Sequence, residues 1–109
     1  MNEEVLGFSY NWNNKLDCKA FTSIRLDSAK YVIGNKYTIV MKGRQPEQAT
    51  LMDKKVFKLS QLTAFMSYID TGYSLDECKN IIRTMYKNMP RVNVDLALFA
   101  FLLLVKDKK

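Results

Sequence analysis

The sequence predicts an α+β domain: a small β-barrel of about five strands, with two helices inserted before the last strand. Segments of two-residue alternation fill the first half of the chain, as half-buried strands require. Two stretches with apolar residues three and four apart follow, and a continuous apolar run, Leu96 to Val105, closes the pattern. The 109 residues leave room for one domain, 1–109, and one core. Apolar residues make up 48% and charged residues 26%, the balance of a folded chain, which excludes intrinsic disorder.

The first strand runs from Val5 to Tyr10, with Leu6, Phe8 and Tyr10 on one side. Residues 11–18 are polar and turn-rich around Trp12. Lys19 to Leu26 alternates Ala20, Thr22, Ile24 and Leu26 against Lys19, Phe21, Ser23 and Arg25. Gly34-Asn35 signals a turn into Lys36 to Lys42, where Tyr37, Ile39 and Met41 share a face. Gly43 to Pro46 reads as a hairpin loop and Ala49 to Phe57 as its returning strand.

The period then changes. Leu59, Leu62, Phe65, Met66 and Ile69 fall at helical spacing, with Gly72 placed to end that helix. Ser74-Leu75-Asp76-Glu77 matches a capping box, and Leu75, Cys78, Ile81, Ile82 and Met85 form the apolar stripe of a second helix stopped before Pro90. The final run lacks polar alternation, which fits a strand buried on both faces or a short buried helix. Strands of this number cannot bury two faces as an open sheet in so small a chain, so closure into a barrel is expected.

Composition narrows the chemistry. The chain has no histidine, which excludes Ser-His-Asp and Cys-His catalysis and argues against a zinc site. Cys18 and Cys78, sixty residues apart, have no metal-ligand spacing and read as reduced thiols. No metal and no cofactor is expected. The apolar run of ten residues is half the length of about 20 that a membrane helix needs. The acidic start, Met1-Asn2-Glu3-Glu4, lacks the basic segment of a secretory signal, so a cytoplasmic protein is expected. The net charge of +6 is concentrated: residues 20–58 hold eight lysines and arginines against three carboxylates. That surplus favours polyanionic partners, nucleic acid among them.

The segment Lys19-Ala20-Phe21-Thr22-Ser23-Ile24-Arg25, followed by Gly34-Asn35-Lys36-Tyr37, resembles the ASCH domain family, and the two-helix stretch and terminal strand come in that family's order. The resemblance covers about residues 4 to 105. It implies a PUA-like barrel with a groove for RNA or a modified nucleoside. Some small bacterial members are amidohydrolases on acylated cytidine that use lysine, threonine and glutamate without metal. The family spacing is Gly-x-Lys-x-x-Thr/Ser-x-Arg. Aligned on Ser23 and Arg25, the lysine position holds Ala20 and the glycine position Cys18; aligned on Lys19 and Thr22, the arginine falls one residue late. Near the end of the first helix, where the glutamate belongs, stand Asp70 and Thr71.

The expected function is therefore nucleic-acid binding, with RNA or a nucleotide-like ligand in a basic groove beside the barrel. Lys19, Phe21, Ser23 and Arg25 are its centre: Phe21 to stack a base, Lys19 and Arg25 to hold phosphate. Phe21 equally fits a core position beneath a helix. Trp12 is a stacking platform or a barrel plug, and Asn13 and Lys15 line the groove mouth. Lys42 and Arg44, with Lys54 and Lys55, extend the basic surface or form a solvated edge. The alternatives are a histidine-free, metal-free amidohydrolase using Lys19, Thr22 or Ser23, and Asp70, or a protein-interaction module of a mobile element. The incomplete catalytic pattern weighs against an enzyme. Cys78, Met66 and Met85 are expected in helix–barrel packing.

Overall fold

The structure, a computed structural model, describes residues 4–8, 10–89 and 91–107, without the side chain of Asn13. Pro90, expected beyond the second helix, and the tail residues Lys108 and Lys109 lie outside the described residues. The elements are β1 (Glu4–Phe8), a 3-10 turn (Trp12–Asp17), β2 (Ala20–Leu26), β3 (Lys36–Met41), β4 (Glu47–Lys58), a second 3-10 turn (Leu59–Gln61), α1 (Ala64–Thr71), α2 (Leu75–Tyr86) and β5 (Leu98–Lys106). The fold is α+β, with five strands in one sheet and both helices ahead of the last strand.

The strand order is β1-β3-β4-β5-β2, parallel between β1 and β3 and antiparallel elsewhere. β4 is long enough to pair with β3 through Glu47–Thr50 and with β5 along most of its length, with a bulge between Leu51 and Asp53 that leaves Met52 exposed. The sheet curls far enough for its two edges to share one core. Leu6 of β1 and Phe21 of β2 lie in the same cluster as Tyr37, Ile39, Leu51, Leu102 and Leu104. Among the described residues no backbone ladder joins β1 to β2, so the closure expected of a barrel is not reached by strand pairing.

A second cluster, of Phe57, Leu59, Leu62, Met66, Cys78, Ile82 and Phe99, sits between the sheet and the helices. β5 separates the two clusters: Ala100, Leu102 and Leu104 enter the first and Phe99 the second. One face, Ala100, Leu102 and Leu104, is fully buried. On the other only Phe99 is, with Phe101 and Val105 half-buried and Leu103 exposed, so the burial on both faces expected of the apolar run is reached only at its start.

Three expectations are corrected in detail. β1 ends at Phe8, and Tyr10 is exposed instead of continuing the inward face. Leu59 begins a 3-10 turn and α1 starts only after Thr63, whose hydroxyl accepts from Met66 N at 3.1 Å. This later start turns Met66, Ser67, Asp70 and Thr71 inward and leaves Phe65 and Ile69 outside. Met85 of α2 is exposed, while Cys78 and Ile82 hold the buried stripe. The caps are as read: Gly72 closes α1 at φ 79°, and Ser74 and Glu77 form the capping box of α2.

Candidate functional site

Where β1 and β2 fail to pair, a cavity of about 110 Å³ opens between them. Gly7 and Phe8 of β1 line one side and Ser23, Ile24 and Arg25 of β2 the other. Tyr10, Trp12 and Lys15 come from the segment joining these strands, Asp70 and Thr71 from the end of α1, and Cys78, Ile81, Ile82, Met85 and Tyr86 from α2.

The polar centre is one carboxylate oxygen. Asp70 Oδ1 accepts from Lys15 Nζ and from Thr22 Oγ1, both at 2.8 Å. The Lys15 and Asp70 side chains are each 7% exposed. Asp70 lies in the last turn of an eight-residue helix, where the carbonyl ends of the dipoles disfavour negative charge, so both donors offset that field as well as the burial. Burial pushes the Lys15 ammonium below its ordinary pKa of 10.5, and it outweighs the opposing pull of Asp70; the charge of Arg25 adds to the lowering.

Arg25 spans the seam. Its Nη2 donates to the Gly7 carbonyl at 2.7 Å and its Nε to Ser23 Oγ at 2.8 Å. Its guanidinium carbon lies 4.6 Å from the Phe8 ring centroid, and Lys15 Nζ lies 5.7 Å from the same centroid. The cavity therefore brings two cations against an aromatic ring, one of them paired with a carboxylate. Burial raises the pKa of both the Cys78 thiol and the Tyr86 phenol, which keeps these two wall groups neutral. At the mouth, Trp12 stands edge-on to Tyr10 at 4.6 Å and to Tyr73 at 5.8 Å.

Of the residues singled out from sequence, Trp12, Lys15, Ser23 and Arg25 line this cavity, as does Asp70. Lys15 is part of its buried ion pair instead of the polar mouth expected. Thr22 reaches Asp70 from beneath, with its hydroxyl engaged. Phe21 is in the core at 3% exposure, edge-on to Phe8, and stacks no base. Lys19 lines a separate depression, larger at about 590 Å³ and more open to solvent, with Asp17, Glu47, Gln48, Lys106 and Asp107. The expected grouping of Lys19 with Ser23 and Arg25 fails because Phe21, between them on the inward face, fills the core. Neither depression includes Lys42 or Arg44. Arg44 pairs with Asp17 at 2.8 Å and donates to the Leu16 carbonyl, and Lys54 pairs with Asp27 at 2.9 Å, so part of the expected basic surface is neutralised internally. The side chain of Asn13 lies outside the described residues.

Sequence reasoning missed Phe8, Tyr10, Tyr73 and Tyr86 as site residues. Tyr10 carried the one available signal: an aromatic two residues from Trp12 in a polar loop, where a core role is weakest. Among the described residues no group of three or more His, Cys, Asp or Glu is placed to hold a metal ion, and no helix is long and apolar enough to cross a membrane. No protein-family model matches the chain, and a search of curated proteins likewise finds no match.

Proposed function

We propose that this cytoplasmic domain binds a nucleotide-like ligand, free or as part of RNA, by seating its base in the seam cavity. The observation that carries this reading is the pairing of aromatic walls, Phe8, Trp12 and Tyr86, with Lys15, Asp70 and Arg25 in one cavity. A nucleobase presents two faces to stack and an edge of donors and acceptors; Lys15 and Arg25 donate to such an edge and Asp70 accepts from it. Two guanidinium nitrogens of Arg25 are already engaged, so its role is to address the base edge and hold the seam, in place of the bidentate phosphate clamp expected from sequence. The resemblance to the ASCH family is in keeping with this ligand class. The test is titration of the single tryptophan, Trp12, with a random single-stranded RNA pool and with nucleoside monophosphates at two salt concentrations. Saturable quenching that Arg25→Ala weakens is expected. A flat signal joined by a silent gel shift and silent calorimetry overturns the proposal.

An amidohydrolase acting on an acylated nucleoside is the second possibility, favoured by one observation: Lys15 and Thr22 meet on the Asp70 carboxylate, a lysine, a hydroxyl and an acid without histidine. In that case Lys15 replaces Lys19 as the amine. Binding is preferred because Thr22, the hydroxyl of the three, is outside the cavity lining and is tied to Asp70. Release of a carboxylic acid from N-acylated nucleosides, stopped by Lys15→Met, would establish hydrolysis instead.

A further inference from the structure

We infer that the ligand is longer than the cavity: a nucleic-acid strand whose neighbouring base stacks on the aromatic rim while one base occupies the seam. This rests on the nucleotide-binding reading above and extends it to a second position. Tyr10 and Tyr73 are 56% and 42% exposed, and neither they nor Trp12 belongs to either core cluster. Three rings from two distant segments meet here outside either core cluster, with Tyr10 and Tyr73 exposed and Trp12 half-buried. They are gathered at the cavity mouth, where Tyr10 and Trp12 are also wall residues, so the rim continues the site outward.

The platform is held in place on both sides. Asn11 Oδ1 accepts from Leu16 N at 2.8 Å, fixing the loop that carries Tyr10 and Trp12. Gly72 N donates to the Tyr68 carbonyl at 3.0 Å and Tyr73 N to Thr71 Oγ1 at 3.1 Å, fixing the junction that carries Tyr73. A rigid aromatic surface accepts any base face with little loss of side-chain freedom. Cations outnumber carboxylates two to one in the cavity and the chain carries +6, so the strand joining two stacked bases is favoured by its phosphodiester charge over a neutral peptide.

The experiment compares the four nucleoside 5′-monophosphates with an equimolar pool of 5′-phosphorylated dinucleotides, by calorimetry and Trp12 quenching. The dinucleotides should bind about ten-fold more tightly, the scale of one added stacking contact. Tyr73→Ala should reduce that advantage to about two-fold or less, while Tyr73→Phe should keep it. Mononucleotides binding as tightly as dinucleotides, or an advantage untouched by Tyr73→Ala, would overturn the rim while leaving the cavity reading intact. Silence from both ligand classes would overturn both.

Discussion

Replacing the buried ion pair by apolar side chains separates what it does for stability from what it does for binding. Lys15 Nζ and Asp70 Oδ1 are 2.8 Å apart, a gross attraction of about 6 kcal/mol at an effective dielectric of about 20. Removing both charges from water costs several kcal/mol per ion, so the pair is close to neutral as a unit. Lys15→Met strands a carboxylate that is 7% exposed, and Asp70→Leu strands an ammonium equally buried; each should cost about 3–5 kcal/mol. The double variant strands no charge and leaves only Thr22 Oγ1 without its acceptor, a loss of about 1–3 kcal/mol. Urea unfolding followed by far-UV circular dichroism, with unchanged m-values, gives all three numbers. The double variant should be more stable than either single variant, folded, and blind to nucleotides. A double variant whose loss equals the sum of the two single losses would refute the coupling, because independent sites add to within about 0.5 kcal/mol.

Three further outcomes follow from the same geometry. Burial holds the Lys15 pKa below 10.5, so between its folded value and 10.5 the unfolded chain binds more protons and stability rises with pH; wild type should gain on Lys15→Met as pH is raised toward 10.5, and a flat or falling difference in paired urea melts would contradict this. Tyr37 is fully buried and its hydroxyl donates to the Lys30 carbonyl at 2.6 Å while accepting from Val32 N at 2.9 Å. Tyr37→Phe should therefore cost about 1–3 kcal/mol and speed hydrogen exchange in the segment before β3; unchanged stability would show that water replaces the hydroxyl. Under native conditions iodoacetamide should modify exposed Cys18 alone, because Cys78 is buried with its thiol pKa raised; two adducts by intact mass would contradict that burial.

The strands were legible wherever one face meets the core. Tyr37, Ile39 and Met41 alternate as read, and the capping box and Gly72 placed both helix boundaries at the α1–α2 junction. The start of α1 was misjudged because Leu59 and Leu62 keep three-residue spacing while the backbone passes through a 3-10 turn and an extended residue. Their burial is the same in either backbone, so hydrophobic pattern alone does not separate the two. In the site, alternation put Lys19, Phe21, Ser23 and Arg25 on one face and read it as a ligand-facing surface apart from the apolar one, whereas Phe21 and Ser23 are buried. Alternation gives the face but not the depth along the strand, and Phe21 decides the depth by filling the core. Lys15 escaped its true role because a 3-10 turn in a polar loop shows no period by which one lysine can be marked as buried. Contacts such as Trp12 with Tyr73, 61 positions apart in the sequence, have no local signature at all.

The seam itself argues for use. Here the two sheet edges, β1 and β2, stay apart, and an arginine side chain spans the gap to the Gly7 carbonyl. Behind it an aspartate is buried in the last turn of a short helix, paired with a buried lysine, in a small domain where apolar residues of similar volume would serve stability at least as well. An open edge and a buried ion pair are each unfavourable choices for the fold alone, and they occur at one place, facing one cavity. A ligand of the proposed kind would resolve both: a flat ring with donors and acceptors on its edge would fill the unpaired seam and meet Lys15, Arg25 and Asp70. The domain should accordingly be stabilised by its ligand, by about 2.7 kcal/mol at a hundred-fold excess over Kd, and that gain should vanish when Lys15→Met and Asp70→Leu are combined, while the fold persists.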